Sequence, residues 1–176
     1  MLSEWNKITE ESYICGFRRV KRRYFQLEDK RIDKFDIIEE KPIVVILAIT
    51  KNQEILTLRQ FRPGPEKILL DLPGGYLGDQ ESVEEGAARQ LLNDTGYTGQ
   101  VQKVNSAFEN PYSSRLRYNF VATECELTDS ILAKTNAQRE LNLMTLTEFW
   151  EFLKTGQSDD LISAYAGLQH LGLINL

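Results

Sequence analysis

Cysteine is scarce in this chain, long apolar runs are missing, and there is no excess of positive charge. The two cysteines, Cys15 and Cys125, lie far apart and have none of the Cys/His spacing of a zinc site, so they read as free thiols. The longest apolar run, residues 43–49, is far below membrane-spanning length, and the acidic start of the chain lacks a secretory signal pattern. That argues against a membrane protein and points to the cytoplasm. A formal net charge of −5, from 21 basic and 26 acidic residues, argues against general nucleic-acid binding and favours soluble partners. No period of repeat length and no low-complexity linker divides the chain. What is present, 176 residues with 41% hydrophobic, suits one core and is short for two ordinary domains.

Residues 1–40 alternate short apolar and charged clusters, predicting irregular chain with strands at 13–21 and 35–38, too few to form a core alone. Their basic run, Arg18-Arg19 and Lys21-Arg22-Arg23, reads either as a solvated face or as an anion-binding element. The β-branched run 43–49 predicts a central strand, and a turn at Lys51-Asn52-Gln53 returns the chain into a second at 55–58. After Arg62-Pro63-Gly64-Pro65, an apolar run at 68–72 delivers a glycine loop, Pro73-Gly74-Gly75.

The most legible helix follows. Ser82 caps it and Glu85 reciprocates as in a capping box, while Val83, Ala87, Ala88, Leu91 and Leu92 recur as an apolar stripe. Gly96 stops it in the left-handed conformation. Gln90, Asn93 and Asp94 form a polar edge, with Gln90 and Asp94 one turn apart. Further strands are expected at 116–122 and 141–146, with a short helix capped by Thr147 over 148–153 and another over 160–171. Strands first, a helix in the middle, then strands and helices give an α/β sandwich rather than regular βαβ units.

Gly75, Glu81, Arg89, Gly96 and apolar Tyr97 stand at the spacings of G-x5-E-x7-R-E-U-x-E-E-x-G-U, with U apolar, and this frame resembles the box of the Nudix hydrolase family. Arg59-Gln60-Phe61-Arg62-Pro63-Gly64 before the box, Leu72-Pro73-Gly74-Gly75 at its start and Pro111 beyond it resemble the ADP-ribose pyrophosphatase branch. The resemblance implies a Nudix fold, a mixed β-sheet sandwich flanked by helices. It also implies an N-terminal strand-rich extension over residues 1–40 that makes a homodimer, with the Nudix domain over 41–176. The implied activity is Mg²⁺- or Mn²⁺-dependent hydrolysis of a nucleoside diphosphate derivative such as ADP-ribose.

The departures from the pattern weigh equally. Where active relatives carry metal-binding glutamates, this chain has Gln90, Asn93 and Asp94, so one carboxylate survives. A divalent ion prefers several anionic oxygens, and an attacking water is activated through that ion, which implies weak turnover. The alternative is a catalytically inactive nucleotide-binding, phosphosugar-binding or structural protein. The candidate catalytic set is Glu81, Glu85, Arg89, Gln90, Asn93, Asp94 and, from a later loop, Glu140. Metal candidates are Gly74, through its carbonyl, with Gln90 and Asp94. Substrate candidates are Arg59, Phe61 and Arg62, where cation and ring could meet phosphate and adenine, and Arg115 and Arg117 after the Pro111 loop.

Overall fold

The computed structural model describes residues 3–128 and 139–174, so the first two residues of the expected extension lie outside it. The chain divides into two compact units, Met1–Pro42 with Phe108–Leu116, and Ile43–Ala107 with Arg117–Leu176.

The first unit is an antiparallel sheet of β1 (Asn6–Cys15), β2 (Arg18–Gln26) and β3 (Ile32–Glu39). The single strand expected over 13–21 is instead a hairpin: Gly16, at φ 62°, turns the chain between Cys15 and Arg18, which pair across it. Trp5 stacks on Phe35 at 5.6 Å, and Phe25 meets both rings edge-on. The basic run is matched by acids on the flanking strands: Lys21 reaches Glu10 and Glu39, Arg22 takes Asp36 in a two-pronged bond, and Arg23 faces Glu10. The Pro111 loop belongs to this unit, where Ile38 donates its N–H to the Tyr112 carbonyl and Ser114 returns one to Ile38.

The second unit follows from one strand that is apolar on both faces. Every residue of β4 (Ile43–Thr50) is buried, and such a strand needs cover on both sides. It sits between β5 (Glu54–Arg62) and the parallel β9 (Leu116–Leu127) in a mixed sheet ordered β10-β5-β4-β9-β8, with β8 spanning Tyr97–Phe108 and β10 Arg139–Thr145. Two short strands extend it, β6 (Lys67–Asp71) on β5 and β7 (Gly74–Tyr76) on β4. On one face Val44, Ile46 and Ala48 pack with Ala87 and Leu91 of α1 (Val83–Thr95). On the other, Val45 and Leu47 pack with Phe149 of α2 (Leu146–Leu153) and Ala164 and Leu168 of α3 (Leu161–His170). This is the expected mixed sheet flanked by helices, and successive residues of β4 assign each helix its side.

Details differ from expectation. No strand was expected over β8, whose residues are mostly polar and exposed and carry little apolar signal. Thr145, not Thr147, caps α2, because Thr145 and Glu148 complete a capping box that Thr147 cannot form with the helix already under way. Ala88 points outward, and α1 instead buries Gly86, Ala87, Leu91 and Thr95. The Ser82–Glu85 capping box and the left-handed Gly96, at φ 76°, are as the sequence predicts.

Gly74 is fixed by contact rather than by dihedral angle. A Cβ there would lie 2.4 Å from the Val44 carbonyl oxygen, a backbone atom that cannot move without opening the β4–β7 pairing. Gly74→Ala is therefore expected to lose about 1–3 kcal/mol of stability through overpacking. Gly64→Ala, which meets nothing within 4 Å, should stay within about 0.5 kcal/mol of wild type. Urea unfolding of both variants checks this, and equal midpoints would contradict it.

Candidate functional site

The site is built where the Pro73-Gly74-Gly75 loop passes beneath α1. β4 holds the loop by pairing Val45 with Gly74 and Val44 with Gly75, and Ile46 donates its N–H to the Pro73 carbonyl at 2.9 Å. Gly75 leaves room for the Gln90 amide, which would lie 2.7 Å from a Cβ at that position.

Glu81 and Arg89 clamp loop to helix. Arg89 donates from Nε and Nη2 to the two Glu81 oxygens at 2.6 and 2.8 Å, and from Nη2 to the Tyr76 carbonyl at 3.1 Å. Glu81 also accepts the Gly78 N–H at 2.7 Å. The Arg89 guanidinium first, and the Gly78 N–H second, hold the Glu81 carboxyl down to about 2. The next residue, Gln90, donates through Nε2 to the same Tyr76 carbonyl at 2.9 Å.

Asp94 closes the arrangement from the last turn of α1. Its side chain is only 6% exposed, and its carboxylate accepts the Gly74 N–H at 3.0 Å through one oxygen and an Arg139 N–H through the other. Burial pushes its carboxyl above the ordinary value, while the Gly74 N–H and Arg139 pull it back. Arg139 opens β10 opposite Gln60, on the sheet face that carries α1. The sequence reading missed it, because a strand-end arginine 45 residues from its partner leaves no spacing signal.

The structure thus brings together Gly74, Gly75, Glu81, Arg89, Gln90 and Asp94, with Arg139 added. Asn93 is exposed on α1. Glu85 is occupied by the capping box, accepting from the Ser82 N–H and hydroxyl at 2.9 and 2.7 Å. Glu140 does not join them: it is the next residue after Arg139, so it projects from the opposite face of the sheet, 3.5 Å from Arg59. Phe61, 60% exposed, shares that face with Arg59 by strand alternation, whereas Arg62 bonds buried Asp71 at 2.7 Å. Arg117, expected to lend charge to a cleft, is buried instead; it donates to Asp160, whose other oxygen takes the Leu72 N–H at 3.0 Å. Burial pushes Asp160 up to about 6 against the pull of Arg117, and Ser163 and Asn119 continue the network. Arg115 bonds Glu40 and Glu109 within the first unit.

The clamp has a pH signature. A carboxyl whose folded value is depressed contributes stability above its ordinary value of 4.5, and that contribution is lost as pH falls toward about 2. Wild type should therefore exceed Glu81→Gln in melting temperature near neutrality, with the gap closing between about pH 4.5 and 2. Thermal unfolding across that range checks it; a constant gap would show that the charge of Glu81 is not what stabilises the loop.

The NUDIX domain family model matches residues 40–165. An ADP-ribose pyrophosphatase of Bacillus subtilis is 26% identical over 151 residues, covering 84% of this chain and 81% of its own length. An ADP-sugar pyrophosphatase of Mus musculus is 35% identical over 66 residues, 37% of this chain and 30% of that protein. A crystal structure of an ADP compounds hydrolase matches with a TM-score of 0.80 over 99% of both chains at 16% identity, which shows a shared fold. The family frame is carried here by the glycine loop, the Glu81–Arg89 clamp and α1, and this chain belongs to the Nudix family.

Proposed function

We propose that this chain is a slow pyrophosphohydrolase of a nucleoside diphosphate derivative such as ADP-ribose. The observation that carries the reading is a family frame kept intact by the Glu81–Arg89 clamp while the acidic positions behind it hold Gln90, Asn93 and an Asp94 already engaged by Gly74 and Arg139. The ADP-ribose and ADP-sugar pyrophosphatases among the relatives support the substrate class. In the proposed reaction a water oxygen attacks one phosphorus of the diphosphate, the bridging P–O bond breaks, and AMP and ribose 5-phosphate leave with protons passing to solvent. Arg59 and exposed Phe61, the candidates for phosphate and adenine, lie on the sheet face opposite Asp94 and Arg139, and the proposed site does not include them.

Nudix hydrolases generally use divalent metal ions, but the donor set here does not fit Mg²⁺ or Mn²⁺. Of the three box positions that would hold such an ion only Asp94 is acidic, its carboxylate is already paired with Arg139, and among the described residues no group of three or more His, Cys, Asp or Glu is placed to hold one. The Asp94–Arg139 pair favours a second reading, a nucleotide or phosphosugar binding protein without turnover.

The expected extension, residues 1–40, and the Nudix domain, residues 41–176, remain our proposed division. We propose a homodimer formed through the extension, supported by its exposed Ile8, Ile14 and Phe17. Among the described residues no helix is long and apolar enough to cross a membrane. An exposed Cys15 thiol suits the reducing cytoplasm.

Two measurements test these readings. Chromatographic assay of ADP-ribose with Mg²⁺ should find slow AMP release from wild type, and release faster by about tenfold or more from the triple variant Q90E/N93E/D94E, which adds two charges and lengthens the third acid. No AMP from wild type over a day would remove the hydrolase reading and leave the binding one. Light scattering at micromolar protein should give twice the 20.3 kDa chain mass, and one chain mass would remove the dimer.

A further inference from the structure

We infer that Arg139 supplies, from within the protein, the positive charge that a bound divalent cation would bring to this site, so that the diphosphate of a nucleoside diphosphate derivative binds here without a metal ion. The inference rests on the reading of the site as a nucleotide site.

Charge is the first argument. Two ion pairs hold the loop–helix junction, Glu81 with Arg89 and Asp94 with Arg139; Gln90 and Asn93 are neutral, and Glu85 is taken up by the capping box at the helix start. Each of the two acids that touch the loop's backbone amides, Glu81 and Asp94, is thus matched by an arginine, and neither stands as a free anionic ligand for a divalent ion. Geometry is the second. Both Asp94 oxygens are engaged, one by the Gly74 N–H and one by Arg139, so a cation on this nearly buried carboxylate would have to share it with a guanidinium already bound there. A metal ion there would set a second cation beside the Arg139 guanidinium on one nearly buried carboxylate.

The same pairing prepares Arg139 to hold an anion. A guanidinium has five N–H donors in a planar fork, and the bond to Asp94 uses one. Asp94 fixes the orientation of the group while its side chain remains 31% exposed, so the other donors can meet phosphate oxygens in two-pronged fashion. A carboxylate that orients a cation for an anionic ligand replaces a carboxylate that holds a metal for the same ligand.

Isothermal titration with ADP-ribose tests this in EDTA and in millimolar Mg²⁺, using wild type, Arg139→Gln and the charge-neutral double variant D94N/R139Q, in which no buried charge is left alone should the single variant fail to fold. Wild type should bind equally, within about twofold, in both buffers, and both variants should lose about tenfold or more in EDTA, the effect of removing a charge-assisted bond. Wild-type binding that needs Mg²⁺, or unchanged affinity in the folded variants, would overturn the inference and leave the nucleotide reading standing. Absence of binding in both buffers would overturn the two together.

Discussion

Asp94 is a negative charge, nearly buried, in the last turn of a helix whose dipole already places partial negative charge there. Burial and dipole both oppose its ionised form, and a buried carboxylate persists only if its oxygens are paired. Gly74 supplies one partner through its N–H and Arg139 the other, so one side chain ties together the glycine loop, α1 and the start of β10. The loop, in turn, can approach only because Gly74 carries no Cβ against the Val44 carbonyl. The site is therefore held by a short chain of dependencies running from the buried strand β4 through Gly74 to Asp94 and out to Arg139.

The Glu81–Arg89 clamp joins loop to helix, and among the described residues its hydrogen bonds run to Gly78 and Tyr76 of the same loop, so it holds the loop without using the side chains at positions 90 and 93. Gln90 likewise has a structural task, donating to the Tyr76 carbonyl, which a carboxylate cannot do. Of positions 90, 93 and 94, only Asp94 carries a charge, and Arg139 pairs with it.

How much of this was legible in the sequence depends on range. The β-branched run of β4, the Ser82–Glu85 capping box and the Gly96 stop are local signals written in adjacent residues, and the structure carries all three. The hairpin at Gly16 is read from sequence as one strand over 13–21, and the cap at Thr145 is placed two residues late, because the same composition supports neighbouring choices until tertiary pairing selects one. Edge strand β8 was missed because its exposed polar residues carry almost no apolar alternation. At the site, the box spacing located Glu81, Arg89, Gln90 and Asp94, but nothing local could reveal that Arg139 would reach Asp94 or that Arg117 would be drawn inside by Asp160. Glu140 and Arg139 differ by one position, and in a strand that difference decides which face of the sheet each serves.

The central claim is that a guanidinium, not a metal ion, neutralises Asp94. Anomalous diffraction at a manganese-sensitive wavelength, from crystals grown with Mn²⁺ and ADP-ribose, addresses it directly. The account predicts no manganese peak beside Asp94, with Arg139 on its carboxylate and turned toward the diphosphate. A peak within coordination distance of Asp94, with Arg139 displaced, would contradict it.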